Sequence, residues 1–216
     1  MAFVVGAPES PPENPPLFEA VVEALTGPGW CVIPDFLPDE TWRALAAEAR
    51  DTYEDGGFRH AGVGRGENFS IRPEIRNDRV RWIDPLEPTA LQQAWLDRVE
   101  SLRLAINREL MLGLFGFEGH FALYPEGSFY KRHFDRFTDA ANRTVTLVQY
   151  LNEDWKPEDG GALRIYQQSE SGAEFYSDVL PHGGSAVLFL TEKFAHEVLP
   201  ANRERLSLTG WYFRRR

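Results

Sequence analysis

Residues 203–213 read RERLSLTGWYF, and the alternation inside that stretch sets the reading of the whole chain. Successive side chains of a strand point to opposite faces, so Arg205, Ser207, Thr209 and Trp211 share one face. In a small barrel that inward face is ordinarily apolar, and an arginine there is costly unless an anion meets it. Working backwards from residue 213, the same texture recurs in HFALY (120–124), FYKRHF (129–134), TVTLVQYL (144–151), ALRIY (162–166), SAVLFL (185–190) and AHEVL (195–199). Seven short segments separated by turns predict an antiparallel sandwich or barrel.

The first half has a different period. LFEAVVEALTGPG predicts a helix through Leu17, Val21 and Leu25, stopped by Gly27 and Pro28, and WCVIPDFL reads as a strand and its exit. A second helix opens near Pro38, carries Trp42, Leu45 and Ala49 on one face and ends at Gly56 and Gly57. The longest follows the stripe Leu91, Trp95, Val99, Leu102, Ile106 and Leu110, with Gly113 beyond its end. The layout is α+β: residues 1–16, rich in proline, form an extended or disordered lead-in, and residues 17–216 one domain, with helical support over 17–113 and a barrel core over 117–213. A chain of 216 residues, 43% hydrophobic, suffices for one core of this kind.

Charge and cysteine content narrow the function. A formal charge of −10 opposes nonspecific binding to nucleic acid or anionic lipid, and no apolar run is long enough to cross a bilayer. Cys31 is the single cysteine, inside the apolar run GWCVI, and is expected to be a buried thiol; a cytoplasmic location follows. The glycine-rich residues 56–67, GGFRHAGVGRGE, are either a mobile lid or a plain connector, with His60 and Arg65 available to meet a substrate. His120, read as opening a strand, and His182, in the PHGG turn, are expected to be structural or solvated. Gly160 and Gly161 are expected to allow a tight return into ALRIY.

The chemistry concentrates in four residues. His133 and Asp135 lie two apart in YKRHFDRF (130–137), and His196 follows about 60 residues later with the other strands between. Two imidazoles and a carboxylate form the facial triad that leaves coordination positions open on non-haem Fe(II), and the same trio can hold Zn(II). Arg205 offers a planar fork suited to a carboxylate, with Ser207 beside it and Tyr150 on a facing strand as a further donor; the alternative is an ion pair between Arg205 and Glu197.

His133-x-Asp135, His196 and Arg205, in that order on short strands, resemble the Fe(II) and 2-oxoglutarate dependent oxygenases. More narrowly, IRNDRVRWID (75–84), ALYPEGSFYKRHFD (122–135), YLNEDW (150–155), GGALRIY (160–166), HEVLPA (196–201) and LTGWYF (208–213) resemble the prolyl hydroxylases that include the hypoxia-sensing enzymes and their bacterial relatives. The resemblance implies a double-stranded β-helix, or jelly roll, buttressed by the N-terminal helices. It implies that His133, Asp135 and His196 bind iron, that Arg205 and Tyr150 hold the distal carboxylate of 2-oxoglutarate, that Tyr124 lies beside the cosubstrate, and that Trp211 is near the metal. Residues 56–70 correspond to the segment that closes over the target peptide, although their sequence departs from the animal enzymes. The implied reaction consumes O2, releases succinate and CO2 and hydroxylates a prolyl residue in a protein, with ascorbate as a stimulant. Bacterial members of the branch act on elongation factor Tu. A hydroxylase for a free amino acid and a non-catalytic binding barrel are the competing readings.

Overall fold

The alternation of residues 205–214 is realised as a long strand at the centre of a sheet. The structure, a computed structural model, describes residues 15–64, 69–135 and 142–215. In chain order the elements are α1 (Pro15–Thr26), β1 (Trp30–Ile33), α2 (Asp39–Glu54), β2 (Arg59–His60), β3 (Arg79–Trp82), α3 (Ala90–Leu110), β4 (Leu114–Tyr124), β5 (Tyr130–His133), β6 (Asn142–Tyr150), β7 (Leu163–Gln168), β8 (Glu174–Val179), β9 (Ala186–Leu190), β10 (His196–Val198) and β11 (Arg205–Arg214). They form a seven-stranded sheet, β1-β9-β6-β11-β4-β3-β2, and a four-stranded sheet, β5-β10-β7-β8. Every pairing is antiparallel. This is the jelly roll, with helices on one side.

The period of two divides the large sheet cleanly. On its outer face Phe121, Leu123, Leu147, Leu188, Leu206, Leu208 and Tyr212 join the buried residues of the three helices in one apolar cluster. On its inner face Ala122, Tyr124, Val148, Tyr150, Val187 and Phe189 form a second cluster with Leu163, Ile165 and Val198 of the small sheet. The helix α3 is tied in by Trp95, whose indole would lie 2.7 Å from a Cβ at Gly119. Gly119 faces Gly210 across β4 and β11, and a Cβ at Gly210 would meet the Phe117 ring at 2.2 Å. Only bare backbone at both positions admits the two rings.

The N-terminal half contributes more to the sheet than helical support. Three strands from it, β1, β2 and β3, extend the large sheet at both edges. The strand β8, EFYSDV, escaped the sequence reading because it lies at an edge of the small sheet with most of its side chains exposed, so no apolar alternation marks it. Cys31 is half-buried, not fully buried, and burial pushes its thiol up to about 11. No helix among the described residues is long and apolar enough to cross a membrane.

Candidate active site

His133 closes β5 and His196 opens β10, and the register sets them directly opposite each other, with ring centroids 4.3 Å apart. The strand period does not supply the third member. Asp135 lies beyond the end of β5, where the chain bends and turns its carboxylate back between the imidazoles. Its Oδ1 is 3.5 Å from His133 Nε2 and its Oδ2 is 3.5 Å from His196 Nε2. One potential ligand atom from each residue falls within a 4.8 Å span.

Both histidines are oriented by their own strands. His133 Nδ1 is 2.8 Å from the carbonyl of Lys131 and His196 Nδ1 is 3.3 Å from that of Phe194. A carbonyl can only accept, so these contacts put the proton on Nδ1 and leave the Nε2 lone pairs facing Asp135. Thr146 Oγ1 donates to Asp135 Oδ2 at 3.1 Å and lies 3.0 Å from Thr191 Oγ1, which fixes the carboxylate from behind. Burial pushes the Asp135 carboxyl up, but the imidazoles of His196 and His133 outweigh it and hold the group well below the usual carboxylate range. Burial lowers His196 to about 4. Neutral imidazole beside ionised carboxylate is the protonation state a divalent cation requires, and three such donors leave positions open for other ligands.

Arg205 opens β11 and is 1% exposed. It pairs across the sheet with Tyr124, and its guanidinium carbon lies 5.0 Å and 5.2 Å from the ring centres of Tyr124 and Tyr150. Nε donates to the carbonyl of Gly161 at 2.8 Å. The Gly160–Gly161 pair therefore does more than return the chain. Gly161 has φ +65°, and a Cβ there would stand 3.1 Å from Arg205 Cδ, so the glycine is the seat of the arginine.

One arm of the fork is unsatisfied. Arg205 Nη2, Tyr150 Oη and Ser207 Oγ are buried with no hydrogen-bond partner, and no ion pair to Arg205 occurs among the described residues. The alternative partner, Glu197, instead accepts from Tyr166 at 2.5 Å. Burial raises Tyr150 to about 12 and raises Tyr124 further, so both keep their phenolic protons. Buried donors without an acceptor are expensive, and a carboxylate is the acceptor that a guanidinium fork with hydroxyls beside it suits.

Arg205, Ser207 and Tyr124 line one cavity of about 1010 Å³ that also contains the triad, Thr209 and Trp211, while Tyr150 is buried against Arg205. The inward face predicted for β11 is thus realised. Trp211 stacks on His120 at 5.4 Å, and the guanidinium of Arg143 lies 3.5 Å from the centre of its ring. His60 is exposed at the cavity edge, with Nδ1 2.7 Å from Arg79 Nη1. Arg65 lies outside the described residues. His182 is exposed in its turn, as expected.

Three features were missed. His120 neither opens a strand nor meets solvent: it sits within β4, 4% exposed, in the cavity wall. Arg76 grips the fully buried Asp78 with two bonds, 2.8 Å and 2.6 Å, under the ring of Tyr130 at 4.1 Å. Arg143 does the same to one oxygen of Glu118 at 2.8 Å and 2.6 Å. The Arg-x-Asp spacing at 76–78 was a visible signal for the first pair; nothing local marks the second, which joins two strands.

The comparisons agree with this geometry. Residues 119–213 match the family model of the 2OG-Fe(II) oxygenase superfamily. A prolyl-4-hydroxylase from Pseudomonas putida is 48% identical, with 92% of this chain and 100% of that chain covered and a TM-score of 0.80. A prolyl hydroxylase from Trichoplax adhaerens, solved with a peptide from the oxygen degradation domain of hypoxia inducible factor, is 30% identical over 91% of this chain and 89% of that one, with a TM-score of 0.81. Human Egl nine homolog 1 is 31% identical over 203 residues, 90% of this chain and 46% of the relative. The chain spans about half the length of the curated relatives it matches. A His-Asp-His centre beside an unpaired buried arginine suits the Fe(II) and 2-oxoglutarate of that superfamily, and on these grounds the chain belongs to the 2OG-Fe(II) oxygenases, within their prolyl hydroxylase branch.

Proposed function

We propose that this protein hydroxylates a prolyl residue of a protein substrate, as one cytoplasmic oxygenase domain running from residue 17. The observation that carries the reading is the conjunction in one cavity of three metal-competent donors with a buried guanidinium fork that has no acid of its own. When bound, Fe(II) and 2-oxoglutarate supply the oxidising chemistry, with succinate and CO2 as co-products. His133, Asp135 and His196 hold the metal. Arg205 takes the distal carboxylate with its unpaired Nη2, Gly161 keeps the fork in place through Nε, and Tyr150 and Ser207 add donors from adjacent strands. Tyr124 walls this pocket and stays protonated. Thr146, itself held by Thr191, prevents the Asp135 carboxylate from turning away. His60 at the cavity edge and Trp211 in its wall are the proposed substrate contacts, together with Arg65, which lies outside the described residues.

The likeness to a prolyl hydroxylase solved with a hypoxia inducible factor peptide supports a protein substrate, and the family resemblance makes elongation factor Tu the partner to try first. The test is mass spectrometry of purified elongation factor Tu incubated with enzyme, Fe(II) and 2-oxoglutarate, with Asp135→Ala as control. One oxygen gained on a proline with the wild-type chain alone is expected. No gain on elongation factor Tu or on a host proteome, with 2-oxoglutarate consumed on addition of free amino acids, would replace this reading with a small-molecule hydroxylase.

A further inference from the structure

His120 is a buried titratable residue that the proposed chemistry leaves unused. It stands within β4, opposite Thr209 of β11 and Trp82 of β3, on the inner face of the large sheet. Its ring is 4.8 Å from the centre of Trp82 and 5.4 Å from that of Trp211, and the two indoles are 6.2 Å apart. Three rings in mutual contact leave the imidazole no room to turn.

The two nitrogens differ. Nδ1 is sealed from solvent and has no partner, whereas Nε2 is not sealed, and the residue lines the cavity. A buried N–H without an acceptor costs more than a buried lone pair, so the proton belongs on Nε2, where the cavity opens. The ring is neutral: burial, with Arg76 and Arg143 adding to it, lowers its pKa to about 3. Those two cations are tied to Asp78 and Glu118, so neither is the group that would hold a substrate anion against this ring. A fixed neutral donor beside two indoles matches a neutral acceptor on a flat, weakly polar group. A peptide carbonyl next to a proline ring is such a group; the carboxylate of a free amino acid is not.

We propose that His120 is a specificity-determining residue whose Nε2–H donates to a main-chain carbonyl of the substrate, selecting a peptidyl proline over the free amino acid. The inference rests on the prolyl hydroxylase reading and assigns a residue to its choice of peptide. No charge on the imidazole is involved.

The full chain, labelled with 15N-histidine and loaded with Zn(II) and 2-oxoglutarate, would be titrated with acetyl-glycyl-prolyl-glycinamide and, separately, with L-proline. The expected result is an Nε2–H tautomer at pH 7 whose signal moves with the blocked peptide and not with proline. His120→Leu should weaken peptide affinity about tenfold, the loss of one hydrogen bond, at unchanged 2-oxoglutarate affinity. His120→Gln, which keeps an N–H in place, should recover most of it. An Nδ1–H tautomer, an imidazolium at pH 7, or peptide affinity in His120→Leu equal to wild type would overturn the proposal. These readouts need no turnover, so they are separate from failure of the hydroxylase reading, which would show as absence of hydroxyproline from the wild-type chain with Fe(II).

Discussion

The two faces of the large sheet are made by the same strands and differ in kind. Along β11, Leu206, Leu208 and Tyr212 pack outward into the helical core, while Arg205, Ser207, Thr209 and Trp211 line the cavity. Both faces are buried. Yet of seven buried side-chain N or O atoms without a partner among the described residues, five belong to the inner face: His120, Tyr150, Arg205, Ser207 and Trp211. Orphaned polar atoms lower stability, and a cluster of them persists where a ligand completes most of its members. The outer face holds the fold together and the inner face is left unfinished for its ligands.

Substitutions three residues apart on β11 can break this division. The largest stability effect is expected on the outer face, where Leu208→Ala removes a side chain with no exposure and should cost about 2–5 kcal/mol by chemical denaturation, with 2-oxoglutarate affinity unchanged in the folded fraction. On the inner face Arg205→Met should behave oppositely. Deleting a buried charge that has no acid partner should leave the free chain as stable as wild type or more so, while abolishing the rise in Tm that 2-oxoglutarate gives with metal present. A wild-type ligand shift in Arg205→Met would remove Arg205 from the pocket.

Gly161→Ala is the next smaller change. It forces a side chain into φ +65° and against Arg205, and should raise the KM for 2-oxoglutarate about tenfold. Gly160→Ala, with φ +66° and a Cβ 2.5 Å from the carbonyl of Pro200 instead of against Arg205, is the control for disturbing this turn without touching the arginine. Equal KM values for the two variants would reduce Gly161 to a turn residue.

The smallest effect is a slope. His196 and His120 have folded pKa values of about 4 and about 3 against 6.5 unprotected, so between those limits the unfolded chain binds protons that the folded chain does not. Stability of the metal-free protein should therefore fall as pH drops from about 6.5 towards 4, with about one proton of slope per histidine. His120→Gln should halve that slope, and Leu208→Ala should leave it intact. A denaturation series at stepped pH measures both.

Much of this was legible in the chain. Apolar residues three and four apart gave α1, α2 and α3, because a helix that buries one face has to repeat at its own period. Alternation in TVTLVQY and LSLTGWYF gave the central strands and the inward position of Arg205, and the order His-x-Asp, His, Arg pointed to the site. Local pattern reports which way a side chain faces; it does not report what stands opposite. That His196 meets His133 depends on β5 pairing with β10 across more than 60 residues, and Asp135 enters the centre through a bend after β5 that strand alternation would not give. His120 looked like a strand-opening polar residue until β3 and β11 closed on it from both sides. Sequence determined the faces, since periodicity is a local property of the backbone. Tertiary structure decided which buried polar atoms keep a partner and which wait for one, since that depends on long-range register.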